Sequence, residues 1–273
     1  KSSKLNYFLS FPLFFSPVWK RFLDNVIREN SVDIIIVRDL PMTIAGILAG
    51  RRNKIPVIFD MAEDYVSLVK GMWKAGKFHG FNLVFRNTYL ANLVETYTFK
   101  NIDHVIVVVE EAVDVVRNNN KNVGVTIVSN TPVLKKITNS DGTRSLSEKI
   151  NNKYSIIYTG GITLGRGIQT VIDAIPEIIH EIPDFQFVVV GDVYASKQLQ
   201  QEIKDRGFGD YVLWVGWVKH EEMNSLISES KVGIIPHFTS DHVNTTIPNK
   251  IFDYMAHGLP VIASDAIPMK RIL

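Results

Sequence analysis

Two stretches carry charged side chains that packing alone does not call for. In TTIPNKIFDYMAHGLPVIASD, Thr245 to Asp265, Lys250 and Asp253 fall in the first two turns of an otherwise apolar helix. That helix closes on Gly258 and runs through Leu259 and Pro260 into a strand. Ile251, Phe252, Tyr254 and Met255 supply its core face. Pro248 suits the first helical turn, where its missing N–H costs nothing, and Gly258 suits the position just past the end. Three residues apart, Lys250 and Asp253 share a face near the helix N-terminus. There a cation and free N–H groups can hold a phosphate, and a carboxylate can accept hydrogen bonds from vicinal hydroxyls. The same spacing also fits a surface ion pair worth about 0.2–0.5 kcal/mol.

The second stretch, YTGGITLGRGIQTV from Tyr158 to Val171, reads strand, glycine-rich loop, helix. Gly160, Gly161, Gly165 and Gly167 let the backbone approach a ligand closely, the helix offers unpaired N–H groups, and Arg166 adds a fixed cation. The combination describes an anion site, although the glycine spacing matches neither the dinucleotide nor the Walker A pattern. A flexible strand-to-helix turn with a solvated arginine is the alternative.

The elements that would position these groups are visible as apolar runs: DIIIVR, PVIFD, HVIVVV and VGVTIV in the first half, then YSIIYTG, FQFVVVG, YVLWVG, VGIIP and PVIAS. Runs this apolar belong to strands buried on both faces. Helical patterns such as MTIAGILAGRRN, GIQTVIDAIPEIIHEI and EEMNSLISESK lie between them, giving the alternation of a doubly wound parallel sheet. Right-handed crossovers put the C-terminal strand ends on one edge, where ligands of α/β folds bind. The polar, turn-rich segment 131–153 reads as a linker between a domain at 1–130 and a second at 154–273. A cleft between the halves is the default site.

Composition bounds the rest. The chain has 273 residues, enough for two ordinary domains, and a formal net charge of +2, which makes no case for nucleic acid. It has no cysteine, which rules out disulfides and thiolate chemistry and fits a reducing, cytoplasmic setting. The histidines and carboxylates show no metal-ligand spacing, so no metal is expected. The opening run is broken by Pro12, Ser16 and Pro17, short of the roughly 20 residues of a spanning helix.

Taken together, the RG after the second domain's first strand and PNKIFDYMAHGLPVIASD after VGIIPH resemble the nucleotide-sugar domain of glycosyltransferase family 4. VVVGD, VLWVGWV, IPVIFDMAEDY and NIDHVIVVVEEAVDVV agree with it. The resemblance implies a GT-B fold, two Rossmann-like domains with parallel sheets facing across a cleft. It also implies a retaining transfer from a nucleotide-sugar donor, without cofactor or metal, to a saccharide or polyprenyl-linked acceptor.

Carried over by position, it makes Asp253 the acid on the donor ribose, where the family usually has Glu; Asp keeps the charge on a shorter arm. Arg166 stands at the family's usual diphosphate-binding Lys, and Gly161 where many members have a companion Arg, so phosphate binding leans on Lys250 and backbone amides. Thr245 replaces a motif glutamate. Thr246 and Ile247 offer amides to the β-phosphate, and the backbone at Trp217 and Val218 meets the base, unless these residues are simply the end of a core strand. Gly160 and Asp192 complete the donor side. In the first half Ala62 stands where many relatives carry a histidine, leaving Glu63 or Asp64 to supply polarity, unless each serves as a loop cap or surface residue.

No protein nucleophile is visible. The resemblance implies front-face substitution, with the acceptor hydroxyl attacking on the side the diphosphate leaves. Two aromatic stretches interleaved with lysine and arginine, NYFLSFPLFFSPVWKRF and KGMWKAGKFHGFNLVFRN, read as segments that touch the inner face of a membrane, or as core and cleft aromatics. The other readings are a non-hydrolysing sugar-nucleotide epimerase and a catalytically silent sugar-nucleotide-binding subunit. By comparison with the family, a strand and loop are expected before Lys1 and closing helices after Leu273.

Overall fold

The computed structural model describes residues 16–74, 87–132, 150, 153–192 and 197–273. Most of the linker segment and of the two aromatic stretches lies outside these residues. The chain divides into two compact units, Lys1–Ser129 with Ser240–Thr246, and Asn130–Thr239 with Ile247–Leu273.

The described elements of the first unit's main segment are, in order, α1 (Pro17–Glu29), β1 (Ile35–Arg38), α2 (Thr43–Asn53), β2 (Val57–Met61), α3 (Tyr65–Lys74), α4 (Thr88–Asn101), β3 (His104–Val107), α5 (Glu111–Asn119) and β4 (Gly124–Ile127). The strands form one parallel sheet in the order β1-β2-β3-β4. α2 lies close on this sheet because Gly46 and Gly50 face it: a Cβ on Gly46 would come within 2.4 Å of Val37 Cγ2, and one on Gly50 within 2.3 Å of Val57 Cγ2. On the same sheet Phe59 meets Phe99 of α4 with ring centres 5.9 Å apart. Asn87 caps α4 by accepting from the amides of Tyr89 and Leu90.

The second unit runs β5 (Tyr154–Thr159), α6 (Ile168–Glu181), β6 (Phe185–Val190), α7 (Lys197–Asp205), β7 (Val212–Gly216), α8 (His220–Glu229) and β8 (Val232–Ile235). The chain then passes through α9 (Asp241–Asn244), which packs against α3 in the first unit. It returns for α10 (Lys250–Ala256), β9 (Val261–Ala263) and α11 (Ile267–Ile272). Its five strands are parallel, in the order β7-β6-β5-β8-β9. Every residue of β6 is buried, which is why FQFVVV shows no alternation. α6 presents Ile168, Val171, Ile172 and Ile175, spaced three and four apart, to a core that includes Tyr158, Phe185, Phe187 and Val189. Among the described residues no helix is long and apolar enough to cross a membrane.

Candidate functional site

The order of the second sheet locates a crevice. From β5 the chain steps outward through β6 to β7, then returns to place β8 and β9 on the other side of β5. Where strand order reverses, the loops leaving the C-terminal strand ends diverge and leave room for a ligand. The crevice therefore opens above β5 and β8. The described strands of the first sheet run in simple sequence and contain no such reversal.

The loops at this edge are fixed by close backbone contacts. The amide of Gly160 donates to Val190 O at 2.8 Å, and that of Gly191 to Gly216 O at 3.0 Å. A Cβ on Gly191 would fall 2.0 Å from Gly160 O, so only glycine allows β5 and β6 to end side by side. Gly167, at φ +67°, caps α6, and a Cβ there would sit 1.7 Å from Pro236 O. The Phe238 amide donates to Gly165 O at 3.2 Å. The turn after β5 and the loop after β8 thus meet across the reversal point.

Two cations converge here. The Lys250 amine lies 3.7 Å from the centre of the Tyr158 ring, and a Cβ on Gly160 would come within 3.3 Å of it. Burial holds the pKa of Lys250 well below the usual lysine range, and the Arg166 guanidinium nearby lowers it further. Burial likewise pushes the Tyr158 phenol up to about 12, against the pull of Arg166. That phenol donates to Gly161 O at 2.7 Å. Arg166, on a 3-10 turn at Leu164–Arg166, has its Nη1 3.3 Å from Nδ1 and 3.5 Å from Nε2 of His237. Among the described residues no carboxylate forms a salt bridge with either cation.

The surface ion-pair alternative for Lys250 and Asp253 is therefore excluded, because Lys250 turns inward over Tyr158. The helix is also shorter than its sequence pattern suggests: it begins at Lys250, with Asn249 at the N-cap and Pro248 before it, and has seven residues. A helix this short contributes little dipole, so the positive charge at its start is chiefly that of Lys250 itself. What fixes α10 on the sheet is Tyr254. Its ring fills the space over Gly233 of β8, where a Cβ would come within 2.4 Å. Its hydroxyl accepts from the Thr159 amide at 3.0 Å and donates to Ile157 O at 3.3 Å.

The remaining expected residues fall as follows. Asp253 is half-buried; desolvation raises its carboxyl, while His220 and His257 pull it back down. Gly161 faces open space, with nothing within 4 Å of a Cβ built there. Asp192 is half-buried just beyond β6, and Val218 is half-buried beyond β7. Trp217 is 85% exposed, which rules out a core role for its indole. Ile247 is buried, and its amide donates to no group of the described residues. Thr245 and Thr246 belong by their contacts to the first unit, where their hydroxyls donate to carbonyls of α9.

Also in the first unit, Glu63 is exposed, whereas Asp64 is buried and caps α3 by accepting from the Ser67 amide at 2.9 Å. For Asp64 the loop-cap alternative holds. No group of three or more potential metal ligands occurs among the described residues.

Sequence reasoning missed His237, Tyr254 as anchor, and Tyr158 as the floor under Lys250. Only His237 left a trace in the chain, as a polar residue directly after VGIIP at a strand's C-terminal end.

With this geometry in view, comparison with known proteins is specific. Residues 153–273 match the family model described as glycosyl transferases group 1. The chain is 31% identical over 124 residues to the alpha-D-kanosaminyltransferase of Streptomyces kanamyceticus, covering 45% of this chain and 31% of that enzyme. The Anabaena protein HepE, solved in complex with UDP, superposes with a TM-score of 0.68 at 15% identity, over 94% of this chain and 66% of its own. Sucrose-phosphate synthase from Thermosynechococcus elongatus superposes with a TM-score of 0.74 at 18% identity, over 96% and 64%. The chain thus spans about a third of the curated relative and just under two thirds of these two structures. Residues 153–273 are thus similar to the glycosyl transferases group 1 family, in a chain whose two parallel sheets have the fold of the GT-B glycosyltransferases.

Proposed function

We propose that the protein transfers a sugar from a nucleotide-sugar donor to a saccharide or lipid-linked saccharide acceptor, with retention. The observation that carries this reading is the pair of basic side chains, Arg166 and Lys250, brought together at the strand-order reversal with no salt bridge to a carboxylate among the described residues. Like charges converge in this way at a cost, and a bound diphosphate offsets it. Breaking the glycosidic bond leaves negative charge on that diphosphate. Fixed cations and the amides of Gly161 and Ile247 stabilise it more in the transition state than before.

In this reading Asp253 receives the ribose hydroxyls, and the backbone at Trp217 and Val218 meets the base. Asp192 and Gly160 line the donor side, the Thr246 amide is offered to the β-phosphate, and Thr245 stands where the family has a motif glutamate. The UDP bound by HepE supports a uridine donor. Glu63 supplies polarity on the acceptor side. The acceptor hydroxyl attacks on the face the diphosphate leaves and passes its proton to a phosphate oxygen. A role in polysaccharide assembly at the inner membrane face fits the aromatic stretches flanking α1 and α4.

A second reading, a silent nucleotide-sugar-binding subunit, is favoured by Thr245, Ala62 and Gly161, each of which lacks a group the family commonly has. A panel of UDP-, GDP- and ADP-sugars, assayed by thermal shift and by donor turnover, separates the two. A ligand that prefers the folded state raises the melting temperature. Binding with turnover is expected; binding without turnover supports the silent subunit, and no binding by any donor overturns both.

A further inference from the structure

We propose that His237 is a positioning residue that holds Arg166 over the crevice by placing its ring face beneath the guanidinium nitrogen Nη1. This rests on the donor reading of the site and adds to it a residue that sequence reasoning missed. The geometry decides how the two side chains meet. Arg166 Nη1 is 3.3 Å from one imidazole nitrogen and 3.5 Å from the other. A hydrogen bond in the ring plane to either nitrogen would leave the other well beyond reach. An in-plane approach between them would run into the carbon that separates them. Nη1 therefore lies off the ring plane, with that edge of the guanidinium over the imidazole face.

The setting explains why such a platform is useful. Arg166 sits in a loop with four glycines, Gly160, Gly161, Gly165 and Gly167, and its long side chain has several rotatable bonds to be fixed. A carboxylate would hold it in place but would also neutralise the charge the diphosphate requires. An imidazole face orients the guanidinium without placing a carboxylate against it. His237 is itself buried, only 2% exposed, and follows Pro236, whose carbonyl lies against Gly167.

The test measures UDP affinity by calorimetry for the wild type, His237→Ala, His237→Phe, His237→Asn, Arg166→Ala and the His237→Ala/Arg166→Ala double variant, with melting temperatures alongside. His237→Ala and His237→Asn are expected to weaken UDP binding about tenfold. His237→Phe, which keeps a ring face, is expected to restore affinity to within about threefold. In the Arg166→Ala background, His237→Ala is expected to have no further effect, since its role passes through the arginine.

Rescue by Asn rather than Phe overturns the ring-face contact. An equal loss with and without Arg166 overturns the positioning role, and this cycle still decides the matter if the Phe variant does not fold. A wild-type protein that binds no nucleotide would instead sink the donor reading beneath it.

Discussion

The amine of Lys250 lies over the face of Tyr158, 3.7 Å from the ring centre, with the Arg166 charge acting on it and, among the described residues, no salt bridge to an acid. Since burial and Arg166 depress its pKa, the unfolded chain binds more protons than the folded one between the folded value and the usual lysine range. In that window stability without ligand rises with pH. A diphosphate favours the charged amine, so binding takes up a proton and affinity falls as pH rises. Lys250→Met is expected to flatten the dependence of melting temperature on pH and to weaken UDP binding at least about tenfold. Calorimetry across pH checks both effects, and identical slopes for variant and wild type would count against this account.

Tyr254 ties α10 to β5 across a sequence separation of 95 residues. Tyr254→Phe keeps the ring over Gly233 but leaves the buried Thr159 amide without its acceptor, a loss expected to cost about 1–3 kcal/mol. Chemical denaturation should show a lower midpoint with an unchanged slope. A midpoint equal to that of the wild type would mean the hydroxyl contributes nothing.

Glu95 of α4 is buried in the first unit, where desolvation, and then the charge of Asp64, raise its pKa to about 7, against the opposing pull of Lys70. The folded chain holds the proton more tightly than the unfolded one. The stability linked to it is fully present below the ordinary carboxyl value and is lost as pH rises through about 7. Glu95→Gln is expected to melt at the same temperature at pH about 6 and about 8, while the wild type melts lower at the higher pH.

The central strands were legible because a parallel strand buried on both faces needs an uninterrupted apolar run, as FQFVVV and YSIIYT show. The runs of β1, β4 and β9 point to the same burial on both faces but instead carry exposed residues, Ile36, Ile127 and Ile262 among them. Arg166 and the glycines around it were legible because strand, loop and helix are contiguous in the chain. The direction of Lys250 was not. Its spacing to Asp253 is the same whether it points to solvent or over Tyr158, and the ring that decides the matter stands 92 residues earlier in the sequence. Tyr254 read as one more apolar helix residue, since its hydroxyl partners lie on β5. Pairings of this range follow from strand order, which local patterns do not encode.

Gly161 has no positive φ, and a side chain there would enter open space. The contact it does make, accepting from the Tyr158 phenol, uses its carbonyl and survives substitution. Gly161→Arg should therefore fold normally and add a cation beside Arg166 and Lys250. UDP affinity is expected to rise about threefold or more at low ionic strength, with the gain shrinking as salt screens the added charge. A gain that does not depend on salt would point to a cause other than charge.

Trp217 follows Gly216 at the end of β7 with 85% of its surface open. An indole that makes so little contact contributes little to the fold, so Trp217→Ala is expected to change stability by no more than about 0.5 kcal/mol. If the nucleoside base lies against this loop, the indole is the group most exposed to it. UDP should then alter tryptophan fluorescence in the wild type and leave the Trp217→Ala signal unchanged, with affinity reduced about fivefold. A fluorescence response that survives the substitution would place the base elsewhere. It would leave Arg166 and Lys250 as the part of the donor site still supported.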